Sequence, residues 1–600
     1  MHKQRTPALF AFLFCLCSCG DAEESATPAA AADLLEVASE RGLDYVNRSG
    51  TRAKDTVLEA NGAGVALIDL GGDGDLDLVF AQGLGSLSQA VTGPGADLEV
   101  FENDGAGHFA RAIGPGLSGW WTGLAVGDVD GDGLQDLVAG AYGDLVLLLQ
   151  DARGRLVPKP EAGLLPGDPS ARLVPGAPRE KGRAPLWATS LALFDADRDG
   201  HLDLFVCQYV DLDPLAPVPK SLGEGVLSVP CRWKGHEVFC GPSGMVGQKD
   251  RILRGRGDGT FEDRTEEWLP GVPAGYALAV LPFDADGDGD TDLYVANDSR
   301  PNLLLVNDGS GAFRDHAYAA GVALSADGRA EAGMGVAGGD VNRDGRPDLA
   351  VTNFSDESTE LYFGAPRGFT EMTHRFGLQS QTRHLLSWGV HLVDFDGDGW
   401  LELFTTNGHV YPQADREHTG TTYGQPAMLW RLGPSPKAER IEPKSRESIL
   451  SPVLGSRGSA VGDLDQDGRP DVVIARIDGP AALGMNRMGD GNHRLAVRLL
   501  GPARASGERR TPADGTGSRA VLVVGGNGEE HALLAEVQTA CGYQSASSAW
   551  LHFGLGKEPR YRSLEILWPS GRTEKLPGGS ADRRLTIREG AGVVKDEAFR

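Results

Sequence analysis

The chain has 600 residues, and its 84 acidic residues against 57 basic ones give a formal net charge of -27 at pH 7. A surface of this sign excludes a nucleic-acid-binding protein, because phosphate backbones need basic partners. Hydrophobic residues make up 40% of the chain, which excludes a disordered acidic protein and allows a large core.

The N-terminus is typical of an export signal. Lys3 and Arg5 precede an apolar run over residues 8–16 that is too short to span a membrane. The sequence Leu16-Cys17-Ser18-Cys19 resembles the processing site of bacterial lipoproteins, so we expect residues 1–18 to be a signal peptide and Cys19 to be lipidated. Residues 19–33 would then be the lipid-bearing cysteine and a polar tether. This places the protein in the bacterial cell envelope, facing the periplasm or the surface, with a lipid anchor as its only membrane contact; the alternative is secretion.

A nine-residue acidic motif, Asp-x-Asp-x-Asp-Gly-x-x-Asp, recurs seven times with small changes and at spacings of 54 to 89 residues. Carboxylates at positions 1, 3, 5 and 9 supply hard oxygen ligands, and the glycine at position 6 allows a turn with positive φ. Hard oxygen donors select Ca²⁺ over zinc or copper, so the sequence predicts up to seven calcium ions. The expected ligands are Asp69, Asp73 and Asp77; Asp128, Asp130, Asp132 and Asp136; Asp195, Asp197, Asp199 and Asp203; Asp284, Asp286, Asp288 and Asp292; Asp340, Asn342, Asp344 and Asp348; Asp394, Asp396, Asp398 and Glu402; and Asp463, Asp465, Asp467 and Asp471.

EF-hand loops begin in the same way but need a glutamate at position 12. Position 12 is not acidic in any of the seven copies, and positions 10–12 begin an apolar, β-prone run such as LDLVF or PDVVI. A short apolar run also precedes each copy. The pattern therefore predicts strand, calcium loop and strand.

Each unit continues with a third apolar run and a phrase of the type GxF, which makes four short strands in about 55–65 residues and is typical of a propeller blade. We therefore predict an all-β protein with a seven-bladed β-propeller over residues 34–490. The seventh unit lacks the GxF phrase, whereas residues 33–45 resemble it, so we expect the N-terminal segment to supply the outer strand of the last blade and to remove two sheet edges. Residues 211–249 are an insertion, in which Cys231 and Cys240 are expected to form a disulfide. Cys207 and Cys541 could be free or bonded to each other.

The repeats resemble the FG-GAP/VCBS repeats of integrin-α-type propellers, and the resemblance covers about three quarters of the chain. The C-terminal part, residues 491–600, resembles the ASPIC/UnbV domain in the stretches NHRLAV from Asn492, GTGSR from Gly515, CGY from Cys541, LHFGLG from Leu551 and WPSG from Trp568. This combination, with CGPSG from Cys240, is similar to cartilage acidic protein-like bacterial proteins. The first loop departs from the pattern because Gly71 stands at position 3, so its site should be weaker. The alternation of polar and apolar residues in the C-terminal part predicts a small antiparallel sandwich.

Aromatic residues stand six to eight positions before four of the loops: Trp121, Trp187, Tyr276 and Trp388. They could ring the central channel as a surface that binds a protein or a glycan; the competing interpretation is that each packs between neighbouring blades. His384, His391, His409 and His493 lie near strands, where structural roles are the commoner outcome. No GxSxG or HExxH motif occurs, so no catalytic residue is assigned.

The first hypothesis is a non-enzymatic, calcium-stabilised propeller that binds an envelope or extracellular protein or a glycan, as in adhesion. The alternatives are a polysaccharide-acting, lyase-like enzyme that uses the channel and a purely architectural envelope protein.

Overall fold

The computed structural model describes residues 33–86, 95–165, 185–212, 231–503, 510–526 and 529–600. The expected signal peptide, lipidation at Cys19 and nearly all of the tether lie outside these residues. In the described part of the chain, no helix is long and apolar enough to cross a membrane. The predicted all-β class is confirmed, and the described helices are short: Val57–Asn61, Thr265–Trp268, Ala317–Ala320, Thr373–Phe376, Leu378–Thr382 and the 3₁₀ turn Pro412–Asp415.

Seven four-stranded antiparallel sheets, numbered here in the order of their acidic loops, occupy the part of the chain up to Asn486. Sheets 1 to 3 consist of Val65–Ile68, Asp77–Phe80, Glu99–Asn103 and Phe109–Arg111; Trp121–Gly127, Asp136–Ala141, Leu145–Gln150 and Leu156–Pro158; and Ala188–Phe194, Asp203–Gln208, Arg251–Gly255 and Phe261–Asp263. Sheets 4 and 5 consist of Ala277–Phe283, Asp292–Asn297, Leu303–Asn307 and Phe313–Asp315; and Val336–Gly339, Asp348–Val351, Glu360–Ala365 and Gly368–Glu371. Sheets 6 and 7 consist of Ser387–Val393, Glu402–Asn407, Met428–Leu432 and Ala438–Arg440; and Ser456–Gly462, Asp471–Arg476, Ala482–Asn486 and Leu34–Glu36.

The first strands of the seven sheets form a closed ring. Each contacts the first strand of the next sheet, and Ser456–Gly462 of sheet 7 contacts Val65–Ile68 of sheet 1. Most residues of these strands are apolar or small because neighbouring sheets cover both faces; Ala277–Phe283, for example, is buried at every position. The seven sheets are thus arranged around a common centre, as propeller blades are.

The N-terminal strand closes the ring, as predicted. Leu34, Leu35 and Glu36 pair antiparallel with Asn486, Met485 and Gly484. Sheet 7 therefore joins the two ends of the repeat region, which leaves fewer unpaired strand edges.

The insertion after sheet 3's second strand contains a small hairpin, Cys231–Trp233 and His236–Val238, with a disulfide between Cys231 and Cys240 whose S–S distance is 1.99 Å. Trp233 and Phe239 pack against a buried aromatic cluster that includes Tyr411, whose ring lies 5.7 and 4.8 Å from theirs. Cys207 and Cys541 are both free thiols.

The C-terminal part forms two more four-stranded sheets. In sheet order they are Leu551–Gly556, His493–Leu500, Arg583–Arg588 and Gly592–Ala598; and Glu529–Glu536, Arg519–Gly526, Tyr561–Leu567 and Thr573–Pro577. Their apolar faces share one core, which includes Val497, Leu522, Ile566 and Ile587. The expectation of a wholly antiparallel sandwich is wrong at one place, because His493–Leu500 pairs parallel with Arg583–Arg588. Alternation along a strand reports which side chains face the core, and it carries no information about strand direction.

Candidate metal loops and the centre of the ring

Each acidic motif connects the first and second strands of one sheet. In sheet 2 the loop begins directly after Gly127 and ends at Asp136, the first residue of the next strand. A strand follows every loop, so the loops are not EF-hands.

Backbone amides hold the first and last carboxylates of a loop. Asp128 accepts hydrogen bonds from Gly131 (2.8 Å) and Gly133 (3.0 Å). Asp136, at position 9, accepts from Val129 and Gln150, both at 2.9 Å. The φ of Gly133, at position 6, is 92°, a conformation in which a side chain would be strained. The loop is therefore folded around its carboxylates by its own amides.

The same arrangement recurs in sheet 4. Asp284 accepts from Gly287 (2.8 Å) and Gly289 (3.1 Å), while Asp292 accepts from Ala285 (2.9 Å) and Asn307 (2.8 Å).

Five of the seven loops bring three carboxylates together, with ligand oxygens within 4.8 Å of one another. The five triads are Asp128, Asp130 and Asp136; Asp195, Asp197 and Asp199; Asp284, Asp286 and Asp292; Asp394, Asp396 and Glu402; and Asp463, Asp465 and Asp471. Among the described residues, the loops of sheets 1 and 5 contain no such triad. Their position 3 is Gly71 and Asn342, so each lacks the carboxylate that completes the other triads.

Several oxygens in these loops are buried without a hydrogen-bond partner, although they belong to acidic side chains. They include Asp197 Oδ1, Glu402 Oε1, Asp463 Oδ1 and Asp465 Oδ1. A buried charged oxygen without a partner is costly, and a cation is the partner that suits converging carboxylates. The donor set therefore fits Ca²⁺, which these residues would hold through carboxylate oxygens.

Burial raises the pKa values of several of the loop carboxyls, and neighbouring carboxylates add to the shift. The pKa of Asp128 is raised to about 7 by burial and by the charge of Asp514. That of Asp292 is raised to about 8 by burial, with Asp286 and Asp284 adding to the shift. Negative charge in these loops is therefore unfavourable until a cation balances it.

Arginines from the third strands of sheets 3 and 6, which sequence reasoning missed, offset part of this charge. Arg254 Nε lies 2.6 Å from Asp197 Oδ2, and Arg254 Nη2 lies 2.7 Å from Asp199 Oδ2. Arg431 Nη2 lies 2.6 Å from Asp396 Oδ2. Both arginines stand in the fourth position of a five-residue third strand, a recurrence that could have revealed them.

Amide side chains at the ends of third strands join neighbouring loops. Asn103 of sheet 1 donates to Leu464 O in the loop of sheet 7 (2.9 Å), and Asn307 of sheet 4 donates to Ala196 O in the loop of sheet 3 (2.8 Å). Asn486 of sheet 7 donates to Phe395 O in the loop of sheet 6 (2.9 Å). These hydrogen bonds fix the loops of sheets 3, 6 and 7 relative to the sheet that follows each of them.

The C-terminal sheets lie against the loops. Arg519 Nη1 lies 2.6 Å from Asp284 Oδ2, and the backbone N–H of Asp128 donates to Asp514 Oδ2 at 3.3 Å. The acidic loops of sheets 2 and 4 thus form part of the contact between the two portions of the chain.

The four aromatic residues considered as a ligand-binding ring are all buried. Trp187, Tyr276 and Trp388 belong to one central cluster, but each is at most 2% exposed. Trp120, the neighbour of the residue proposed from the sequence, joins that cluster, whereas Trp121 packs between sheets 1 and 2 and donates to Ala96 O at 2.8 Å. These side chains offer no open ligand surface.

A segment of the C-terminal part fills the centre of the ring and explains this burial. We call residues 537–548 the central segment. Gly542 exchanges backbone hydrogen bonds with Val336 of sheet 5 (2.7 and 3.1 Å), and Ala546 donates to Val65 of sheet 1 (3.1 Å). Further along, the carbonyl of Gln544 accepts from Leu124 of sheet 2 (3.1 Å), and Ser548 donates to Val461 of sheet 7 (3.0 Å).

Tyr543 is the aromatic residue of the central segment that packs in the middle of the ring. Its ring is fully buried, 4.8 Å from that of Trp388, and its hydroxyl donates to Asn61 O at 3.1 Å. The centre of the ring is thus occupied by the chain itself.

The four histidines noted in the sequence do not lie together in one cluster. His391 and His409 are buried, and burial lowers their pKa values to about 4 and about 3. His493 contacts Asp582 at 2.7 Å in the C-terminal part. His384 is exposed, and its backbone carbonyl accepts from Thr421 at 2.7 Å.

Comparison with known families agrees with this division of the chain. A model described as "FG-GAP-like repeat" matches residues 89–139, 128–206, 236–295, 284–351 and 340–405. A second, described as "ASPIC and UnbV", matches residues 507–594.

Among curated proteins, cartilage acidic protein 1 of Xenopus tropicalis is 24% identical over 573 residues, which cover 87% of this chain and 73% of that protein. The human protein of the same name is 28% identical over 296 residues, which cover 47% of this chain and 39% of its own length. A solved lectin of Agrocybe aegerita that recognises terminal N-acetylglucosamine is similar with a TM-score of 0.38 and 15% identity, over 69% of this chain and 85% of its own. The repeats, the C-terminal domain and the long match to the Xenopus protein lead to one conclusion: this chain combines FG-GAP-like repeats with an ASPIC and UnbV domain and in this is similar to cartilage acidic protein 1.

Proposed function

We propose that this protein is an exported, calcium-stabilised seven-bladed propeller that binds a protein or a glycan through its outer surface. The observation that carries the calcium assignment is the set of carboxylate triads, whose oxygens converge within 4.8 Å and include buried oxygens without hydrogen-bond partners. Calcium has a structural role in this proposal, because the loops lie between the sheets and the C-terminal domain.

The filled centre supports binding at the outer surface over catalysis in a channel. A channel enzyme needs exposed polar groups where substrate can reach them, and here Tyr543 and the tryptophans occupy that space. Export by the N-terminal signal, with a lipid on Cys19 or with secretion, belongs to the same proposal.

The test is thermal unfolding of the mature chain, without lipid, in calcium and in excess EGTA. A ligand that binds only the folded state adds about 2.7 kcal/mol per site when its concentration is 100 times its Kd. Removal of calcium should therefore lower Tm by many degrees, and addition of calcium should restore it. Identical melting curves in EGTA and in calcium would contradict the calcium assignment.

The partner is tested separately. The calcium-loaded protein is screened against glycans and envelope proteins of its own organism, with the EGTA-treated protein as the control. Binding that needs the calcium-loaded fold is expected.

A further inference from the structure

A free thiol and an imidazole meet in a cavity between the ring of sheets and the C-terminal domain. The cavity has a volume of about 180 Å³, and Cys541, His391 and His552 are among the residues that line it. Cys541 is partly exposed to this space, whereas the other free thiol, Cys207, is completely buried.

The distance between the thiol and the imidazole suits two ligands of one ion. Cys541 Sγ lies 3.8 Å from His391 Nδ1. Bond lengths of about 2.3 Å to sulfur and about 2.1 Å to nitrogen, which are those of zinc, separate the two ligand atoms by about 3.6 Å at a tetrahedral angle and about 3.8 Å at 120°.

The other nitrogen of His391 has a partner of the kind that metal-binding histidines use. His391 Nε2 lies 2.9 Å from Ser459 Oγ, on the first strand of sheet 7. When Nε2 carries the proton and donates it to Ser459, the Nδ1 lone pair faces Cys541. Such outer contacts commonly orient metal-binding histidines.

An independent feature indicates a polar occupant of the cavity. Both ring nitrogens of His552 are buried and have no hydrogen-bond partner. Buried polar groups are normally satisfied, so a ligand or water held in the cavity is the missing partner. His552 is assigned no bond to the ion; it forms part of the polar wall around it.

We propose that Cys541 and His391 bind a thiophilic d¹⁰ cation at the contact between the two portions of the chain. Thiolate and imidazole select such ions over Ca²⁺, so this site is chemically distinct from the acidic loops. Binding forms the S–metal and N–metal bonds, and the thiol proton leaves to solvent.

The test uses Ag⁺ as a d¹⁰ probe that needs no reductant, so that the Cys231–Cys240 disulfide stays intact. The mature chain is titrated in chloride-free buffer with saturating Ca²⁺, and bound silver is counted by native mass spectrometry, with affinity from calorimetry. One tightly bound Ag⁺ per chain is expected for the wild type and for the control Cys207→Ser.

The variants separate a built site from a reactive thiol. Cys541→Ser should lose the tight ion, and His391→Gln should bind it at least tenfold more weakly. Ser459→Ala should weaken binding by about 10–100-fold, as loss of an outer contact does. To separate loss of binding from misfolding of Cys541→Ser, the measurement is repeated with wild type blocked at Cys541 by a small S-methylthio group. Thermal melting in calcium checks that every variant is folded. Undiminished affinity in His391→Gln would mean binding by the thiol alone and would overturn the proposal, as would tight silver binding by the blocked protein.

Discussion

At the scale of single residues, burial without a countercharge also occurs outside the loops. Glu357 is on the chain between the second and third strands of sheet 5, at the end opposite that sheet's acidic loop. Burial, with the charges of Glu331 and Asp298 adding to the shift, raises its pKa to about 8. Its carboxyl group accepts from the backbone N–H of Ala332 at 2.9 Å.

This group gives stability a pH dependence of known sign. The pKa of Glu357 is higher in the folded than in the unfolded chain, so its contribution is fully present below the unfolded value near 4.5 and is lost as pH rises towards 8. With calcium saturating, the Tm of the wild type should fall between pH 5 and 8.5. Glu357→Gln keeps an acceptor oxygen, and its Tm should fall by about 2 °C less over the same pH range. The exposed Glu417→Gln is the matched control. Parallel pH profiles for wild type and Glu357→Gln would contradict the prediction.

At the scale of the elements, the loops share one backbone design and differ in their third position. Sheet 2 has Asp130 there and a triad, whereas sheet 1 has Gly71 and lacks one. Because the first carboxylate also caps the loop through two glycine amides, its loss removes a ligand and leaves backbone donors less well satisfied.

We therefore expect Asp128→Asn and Asp69→Asn to differ. Asp128→Asn should bind one calcium ion fewer in native mass spectrometry and should lose about 2.7 kcal/mol of calcium-dependent stability at 100 times Kd. Asp69→Asn should change the bound calcium less, because its loop has one carboxylate fewer. Equal losses of calcium in the two variants would show that position 3 does not govern the affinity of these loops.

At the scale of the whole molecule, the C-terminal domain is part of the core of the ring. The central segment hydrogen-bonds to first strands on several sides, and the C-terminal sheets also contact the acidic loops. Unfolding of either portion would expose the aromatic cluster around Tyr543. The two portions should therefore unfold together.

The substitution Tyr543→Ala tests this. It removes a fully buried ring and should lower the free energy of unfolding by about 3–5 kcal/mol, as truncation of a large buried aromatic does. Tyr318→Ala, at a site where the side chain is 65% exposed, should change it by less than about 0.5 kcal/mol. Denaturant unfolding followed by tryptophan fluorescence measures both. A small effect of Tyr543→Ala would mean that the segment is not part of the core.

The sequence by itself determined the local features of this protein. The repeated Asp-x-Asp-x-Asp-Gly-x-x-Asp motif identified where strands end and loops begin, because ligand spacing and the glycine turn are set within nine residues. The unmatched phrase at residues 33–45 likewise identified the closing strand, since a missing blade strand must be supplied from elsewhere. The loop carboxylates number twenty-six, which nearly equals the size of the net charge of -27.

Only the tertiary structure decided what lies at the centre. Trp187 and Tyr276 directly precede the first strands of sheets 3 and 4, and Trp388 is the second residue of the first strand of sheet 6. The spacing along the chain indicates that they lie near one another, but it does not reveal that Tyr543, more than 150 residues after Trp388, fills the space between them. The pairing of Arg519 with Asp284 and the meeting of Cys541 with His391 have the same origin. These contacts join residues far apart in the chain, and their partners are fixed by how the C-terminal domain packs on the ring rather than by any local pattern.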